Sequence, residues 1–159
     1  MNNLVSENAR KKFRKDESKV KNNIKIHEED KWVFVARQKG WVKLIGTHIT
    51  INGIDLVFIP LRDEKGFYVE IIEKNSGVII FTKRINYLDA ITANTREKAL
   101  YLYGDMISFL DKKTKELGIK ALEVKIKVDK KLAEQLIGRK PEIVDIDFNI
   151  DIADDLPFY

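Results

Sequence analysis

The sequence predicts an α+β fold: an antiparallel β-meander of four to six strands packed against one long amphipathic helix. A basic N-terminal helix or arm precedes it and an acidic C-terminal tail follows it. Three observations carry this expectation. Between Lys31 and Lys83, short β-branched and aromatic runs are separated by Gly- and Asn-containing turns. Ala99, Tyr103, Met106, Ile107, Leu110 and Leu117 then recur at a helical period on one face. Finally, the 29 Lys and Arg residues all lie at or before Lys140, whereas six of the 25 acids lie after it, so the net charge of +4 divides into +10 and −6. Such polarity predicts a polyanion-binding body and a separate acidic peptide. The domain limits that follow are an arm at 1–28, one α+β domain at 29–140 and a tail at 141–159.

In the arm, Val5, Ala9 and Phe13 form a narrow apolar stripe among Lys11, Lys12, Arg14 and further cations. Those three cations are candidate phosphate contacts. Asn22-Asn23 breaks the pattern. From Lys31 the period is two: Lys31–Arg37 and Trp41–Ile45 flank a turn at Lys39-Gly40. Asn52-Gly53, between Thr47–Ile51 and Ile54–Ile59, is the pair a type I′ hairpin favours, because both turn residues need positive φ. Pro60 ends that strand or marks an edge. Phe67–Glu73 and Val78–Lys83 continue the meander, and Asn86–Ala93 is a connection.

Asn94 reads as the N-cap of the long helix, with Glu97 completing a capping box and Gly118 stopping it. Ile119–Val128 returns to alternation, with Leu122, Val124, Ile126 and Val128 inward, which predicts a strand. Asp129 would then cap a short helix ended by Gly138. In the tail, Val144, Ile146, Phe148, Ile150 and Ile152 alternate with acids and Asn149, a pattern suited to a strand beside Lys120–Val128. A calcium loop at Asp145, Asp147 and Asn149 fails, since Ile150 and Leu156 stand where glycine and glutamate are required.

The last residues, Asp154-Asp155-Leu156-Pro157-Phe158, resemble the acidic tip of bacterial and phage single-stranded DNA-binding proteins. That resemblance implies a docking peptide whose aromatic residue and terminal carboxylate enter a basic-rimmed apolar pocket on replication and repair proteins. Tyr159 follows, so the terminal carboxylate is its own and Tyr159 can itself be the anchor. The family's oligonucleotide-binding barrel and Gly/Gln/Pro-rich linker are not legible in the body. A sheet backed by a helix binds single strands in Whirly-like proteins, an analogy of fold alone.

On the body, the candidate nucleic-acid-binding residues are Lys31, Arg37, Lys39, Trp41 and Lys43, because single-strand binders combine aromatic platforms with cationic grooves. Trp32 and Phe34 are expected to turn into the core, and Trp41 and Tyr68 to face outward. Enzymatic readings fare poorly. His27 and His48 accompany no nucleophile motif, and no phosphate-binding glycine loop occurs. Glu123-Val124-Lys125 has the Glu-x-Lys form of restriction-type nucleases, with Asp105 or Asp111 upstream, and is a remote possibility. No cofactor is implied.

With no cysteine, a charged content of 34% and no long apolar run, the expectation is a cytoplasmic protein without a membrane partner. Two functions follow. One is a single-stranded nucleic-acid binder with a partner-recruiting tip. The other is an inhibitor or adaptor of a host nuclease, in the general style of phage proteins including anti-CRISPR inhibitors.

Overall fold

A computed structural model describes residues 23–143. The expectations for Lys11, Lys12 and Arg14, for Val144–Ile152, and for Asp154, Asp155, Leu156, Pro157, Phe158 and Tyr159 lie outside these residues.

Five strands form one antiparallel sheet in chain order: β1 Ile24–Arg37, β2 Gly40–Ile51, β3 Ile54–Asp63, β4 Gly66–Glu73 and β5 Ile79–Ile85. The meander is as expected, with two changes at its start. β1 begins at Ile24, inside the stretch assigned to the arm, because Ile24 and Ile26 pair with Ile51 and Ile49. β2 runs unbroken through Gly46, where a β-carbon would overlap the Phe58 carbonyl oxygen. Asn52 and Gly53 have φ of 51° and 82°, as the type I′ turn requires.

Both faces of the sheet are buried, as the nearly continuous apolar run Leu56-Val57-Phe58-Ile59 on β3 demands. On one face Ile49, Ile51, Leu56, Phe58, Val69 and Ile71 meet Tyr103, Met106, Ile107 and Leu110 of a long helix. On the other, Val57, Ile59, Leu61 and Ile72 meet Val33, Val35 and Leu44, which belong to the sheet's own first hairpin. The hairpin reaches them because β2 pairs with β3 only from Thr47 to Ile51. Beyond Thr47 it curls over, and the Ala36 N–H donates to the Gly77 carbonyl at 3.3 Å. Pro60 sits on the stretch of β3 that β2 has left, so its missing N–H interrupts no ladder there. An irregularity in β1 between Ile26 and Asp30 permits the bend. Arg96 holds this bulge, bonding the Asp30 carboxylate at 3.0 Å and the His27 carbonyl.

The connection after β5 contains a short helix, α1 Tyr87–Thr92, capped by the Asn86 side chain, which accepts from the Asp89 N–H at 2.8 Å. The long helix, α2, spans Arg96–Leu117 and is capped by Thr95 rather than Asn94. The Thr95 hydroxyl accepts from the Lys98 N–H, while Asn94 accepts from the Lys98 ammonium, each at 3.2 Å. Leu117 was expected on the buried face but is 64% exposed. Thr114 takes the buried place, returning its hydroxyl to the Leu110 carbonyl at 2.6 Å.

The largest departure follows Gly118. Residues expected as a strand and a short helix form one helix, α3 Ile119–Ile137. Leu122, Val124, Ile126 and Val128 alternate as a strand would, but the stretch holds strong helix formers with no Gly or Pro before Gly138. Helical geometry splits the four. Leu122 packs on the α2 side of the core and Ile126 is buried, whereas Val124 and Val128 turn outward. The tail therefore has no strand at Lys120–Val128 to pair with. Among the described residues, no helix is long and apolar enough to cross a membrane.

Candidate nucleic-acid interface

Alternation along the curled hairpin places Val33, Val35 and Leu44 inside and leaves Trp32, Phe34, Trp41, Lys43 and Ile45 on the outer face. The register joins Trp32 to Ile45, Phe34 to Lys43 and Ala36 to Trp41. All five outer side chains are half-buried, and none belongs to either core. Trp32 and Phe34, expected inside, thus share a face with Trp41. The Lys43 ammonium lies 5.2 Å from the centre of the Trp32 ring, within cation–π range. The result is a row of aromatic surface with a cation over it.

Trp41 is held rather than loose. Its ring edge lies 2.8 Å from where a β-carbon on Gly77 would stand, and its indole N–H donates to the Gly138 carbonyl at 2.9 Å. That bond carries the end of α3 to the hairpin, and Arg139 and Lys140 follow Gly138 in the chain. These two cations escaped the sequence reading, and no local signal could have revealed them: the bond spans 97 residues.

The other candidates divide. Lys39 is exposed in the β1–β2 turn, and Lys31 stands at the far end of the hairpin with its ammonium 3.9 Å from Glu29. Arg37 is withdrawn from the face. It turns the other way and makes two bonds, of 2.6 and 2.5 Å, to Glu70 on β4. A guanidinium so committed acts as a structural pin. Tyr68, expected outward, is half-buried against the second core, with Arg84 4.9 Å from its ring centre.

A second polar cluster lies at the β1 bulge. His27 and His48 stack in parallel, 3.7 Å between ring centres. His27 Nε2 lies 2.8 Å from the Thr50 hydroxyl, that hydroxyl donates to Asp55 at 2.7 Å, and His48 Nε2 lies 2.8 Å from the same carboxylate oxygen. The network assigns both rings a proton on Nε2, leaving His48 Nδ1 as the one buried side-chain atom without a partner among the described residues. Ligand atoms of His27, His48 and Asp55 lie within 4.8 Å of one another. Parallel rings cannot both aim an in-plane lone pair at one ion, and the Nε2 atoms are already engaged. The arrangement is a hydrogen-bond chain.

Burial lowers the His27 pKa below its ordinary 6.5, and the neighbouring His48, Lys25 and Lys31 push the same way against Asp55. Burial works to raise the Asp55 carboxyl, but bonds from Thr50 and His48 hold it below the usual range. For His27 the folded chain prefers the neutral ring, so its contribution to stability is complete above pH 6.5 and declines as pH falls through that value. The expected result is a melting temperature that drops below pH 6.5, with a flatter profile in His27→Gln. A parallel profile in both proteins would remove His27 from the acid response.

The strand assumed for Glu123-Val124-Lys125 is a helix. Glu123 and Lys125 lie on α3, and Asp111 accepts from Asn52 at 2.9 Å and Lys115 at 3.2 Å. Fold and face define an α+β protein built on a curled five-stranded meander with an aromatic, basic hairpin. Comparison with protein-family models, curated proteins and solved structures finds no match.

Proposed function

We propose that this chain is a non-enzymatic protein of phage or mobile-element type that binds single-stranded nucleic acid in the cytoplasm. The observation that carries this reading is the outer hairpin face, where Trp32, Phe34 and Trp41 lie alongside Lys43. Stacked bases need flat apolar rings, and a strand's phosphates need cations at the rim. Lys39, Arg139 and Lys140 provide that rim. A single strand suits the face better than a duplex, whose bases are stacked on one another and closed to side-chain rings. The acidic tip, Asp154 to Tyr159, then recruits a basic-pocketed replication or repair protein.

Anisotropy titrations with labelled single- and double-stranded oligonucleotides test the reading. Trp32→Ala should weaken single-strand binding by about 5- to 150-fold, the equivalent of about 1–3 kcal/mol for a lost stack. Lys43→Ala should reduce the salt dependence by about 0.7 in the logarithmic slope, as for one lost phosphate contact. Absence of binding at low salt would overturn the proposal. Co-purification with a nuclease in its place would point to the inhibitor or adaptor.

A further inference from the structure

Helix α3 is amphipathic twice over. Its inner stripe, Leu122 and Ile126, meets the sheet and α2. Val124, Val128, Leu132 and Leu136, each four residues after the last, form a second stripe and are 61, 59, 52 and 75% exposed. A run of four large apolar side chains along one helix exceeds the scattered exposure of an ordinary surface.

The rim of this stripe is predominantly basic. At 100° per residue, Lys125 falls on one side of it and Lys120, Lys127 and Lys131 on the other. Among the described residues none of these four forms an ion pair. Of the acids of α3, Glu134 pairs with Lys130 at 3.8 Å, while Asp129 stands one turn beyond Lys125 and Glu123 one turn before Lys127, so the four lysines outnumber two acids along the rim. A second copy of the helix would bring one lysine-rich rim against another. An apolar segment bordered by carboxylates would meet no such opposition.

The chain contains one segment of that chemistry. Val144, Ile146, Phe148, Ile150 and Ile152 alternate with Asp145, Asp147 and Asp151, just after α3 ends. In an extended chain, alternate side chains recur every ~6.7 Å, against ~6 Å for every fourth residue of a helix. Val144 to Ile150 would thus span ~20 Å, and Leu136 to Val124 spans ~18 Å. Residues 138–143, with Gly138 and Pro141 among them, are long enough for the chain to reverse beside Leu136.

We infer that the lysine-rimmed stripe of α3 is the docking site of the chain's own acidic segment, residues 144–152. The segment runs back along the helix with its apolar residues on Leu136, Leu132, Val128 and Val124 and its aspartates towards the lysines. The inference stands whether or not the hairpin binds nucleic acid.

The chain has no cysteine, so introduced pairs can be read without background. In the full-length protein, Val128→Cys with Phe148→Cys should close to an intramolecular disulfide under mild oxidation at least about tenfold faster than Lys65→Cys with Phe148→Cys. Lys65 is exposed in the β3–β4 turn, so that pair reports untargeted encounter. Val128 is exposed and position 148 lies outside the described fold, so neither change threatens folding. Adding Lys125→Glu and Lys131→Glu should erase the difference. Equal rates for the two pairs would overturn the inference, as would a preference that survives the charge reversal. So would a single Val128→Cys variant that forms covalent dimers faster than the pair closes, since the stripe would then belong to a second copy.

Discussion

Arg37→Ala is expected to lower the unfolding free energy by about 3–5 kcal/mol, because it leaves a carboxylate in the fold without its cation. Glu70 is 4% exposed, and Arg37 supplies both of its bonds, at 2.6 and 2.5 Å. The pair does more than neutralise charge. Arg37 lies at the end of β1 and Glu70 in the middle of β4, so the bonds fasten the tip of the curled hairpin across the second core. Urea unfolding of Arg37→Ala beside Lys39→Ala checks this. Lys39 is exposed in the adjoining turn, and its loss should stay within about 0.5 kcal/mol. Replacing both members by apolar residues, as in Arg37→Met with Glu70→Leu, should recover most of the loss, since the unpaired charge rather than the missing bond dominates it. If Arg37→Ala melted like the wild type but bound nucleic acid weakly, Arg37 would return to the interface.

Gly77→Ala should have a comparable effect through sterics. Gly77 has φ of 71°, in the left-handed region, where a β-carbon costs about 1–2 kcal/mol. The same carbon would overlap the Phe34 carbonyl oxygen and approach the Trp41 ring to 2.8 Å, forcing the hairpin off the β4–β5 turn. Overpacking of that kind adds about 1–3 kcal/mol, giving a total of about 2–5. Gly40→Ala is the comparison. Gly40 also has positive φ, 142°, but a β-carbon there meets nothing within 4 Å. Gly77→Ala should therefore be the worse by the overpacking share. It should also loosen Trp41 and, with it, the approach of Arg139 and Lys140. Equal losses at the two positions would show that the hairpin is not seated on Gly77.

Both predictions concern one feature, the closure of the hairpin over the sheet, and both bear on the candidate interface. Trp32, Phe34 and Trp41 can present a platform only because the opposite face of the same strands is packed. A variant that opens the hairpin should lose stability and binding together, whereas Trp32→Ala should lose binding with a smaller change in stability. This separation distinguishes a residue that contacts a ligand from one that holds the surface in place.

The residues by themselves determined the meander, its Asn52-Gly53 turn, the edge at Pro60 and the long helix with Tyr103, Met106, Ile107 and Leu110 inward. Each rests on alternation, a φ requirement or a helical period, and so on neighbours a few positions apart. Two candidate residues, Trp41 and Lys43, were legible as an aromatic–basic pair for the same reason. Only the tertiary structure decided the rest. Ile119–Val128 alternates as a strand would, yet Leu122 and Ile126, one helical turn apart, meet the body from a helix. Trp32 and Arg37 have opposite parity on β1, but which parity faces the core depends on how the hairpin curls. The curl is set by Glu70, Gly77 and Phe58, which are distant in sequence. Arg139 and Lys140 join the face through a single bond from Trp41. Local pattern fixes what a segment can become; which partner it meets, and hence which side it shows, is settled by contacts the pattern does not contain.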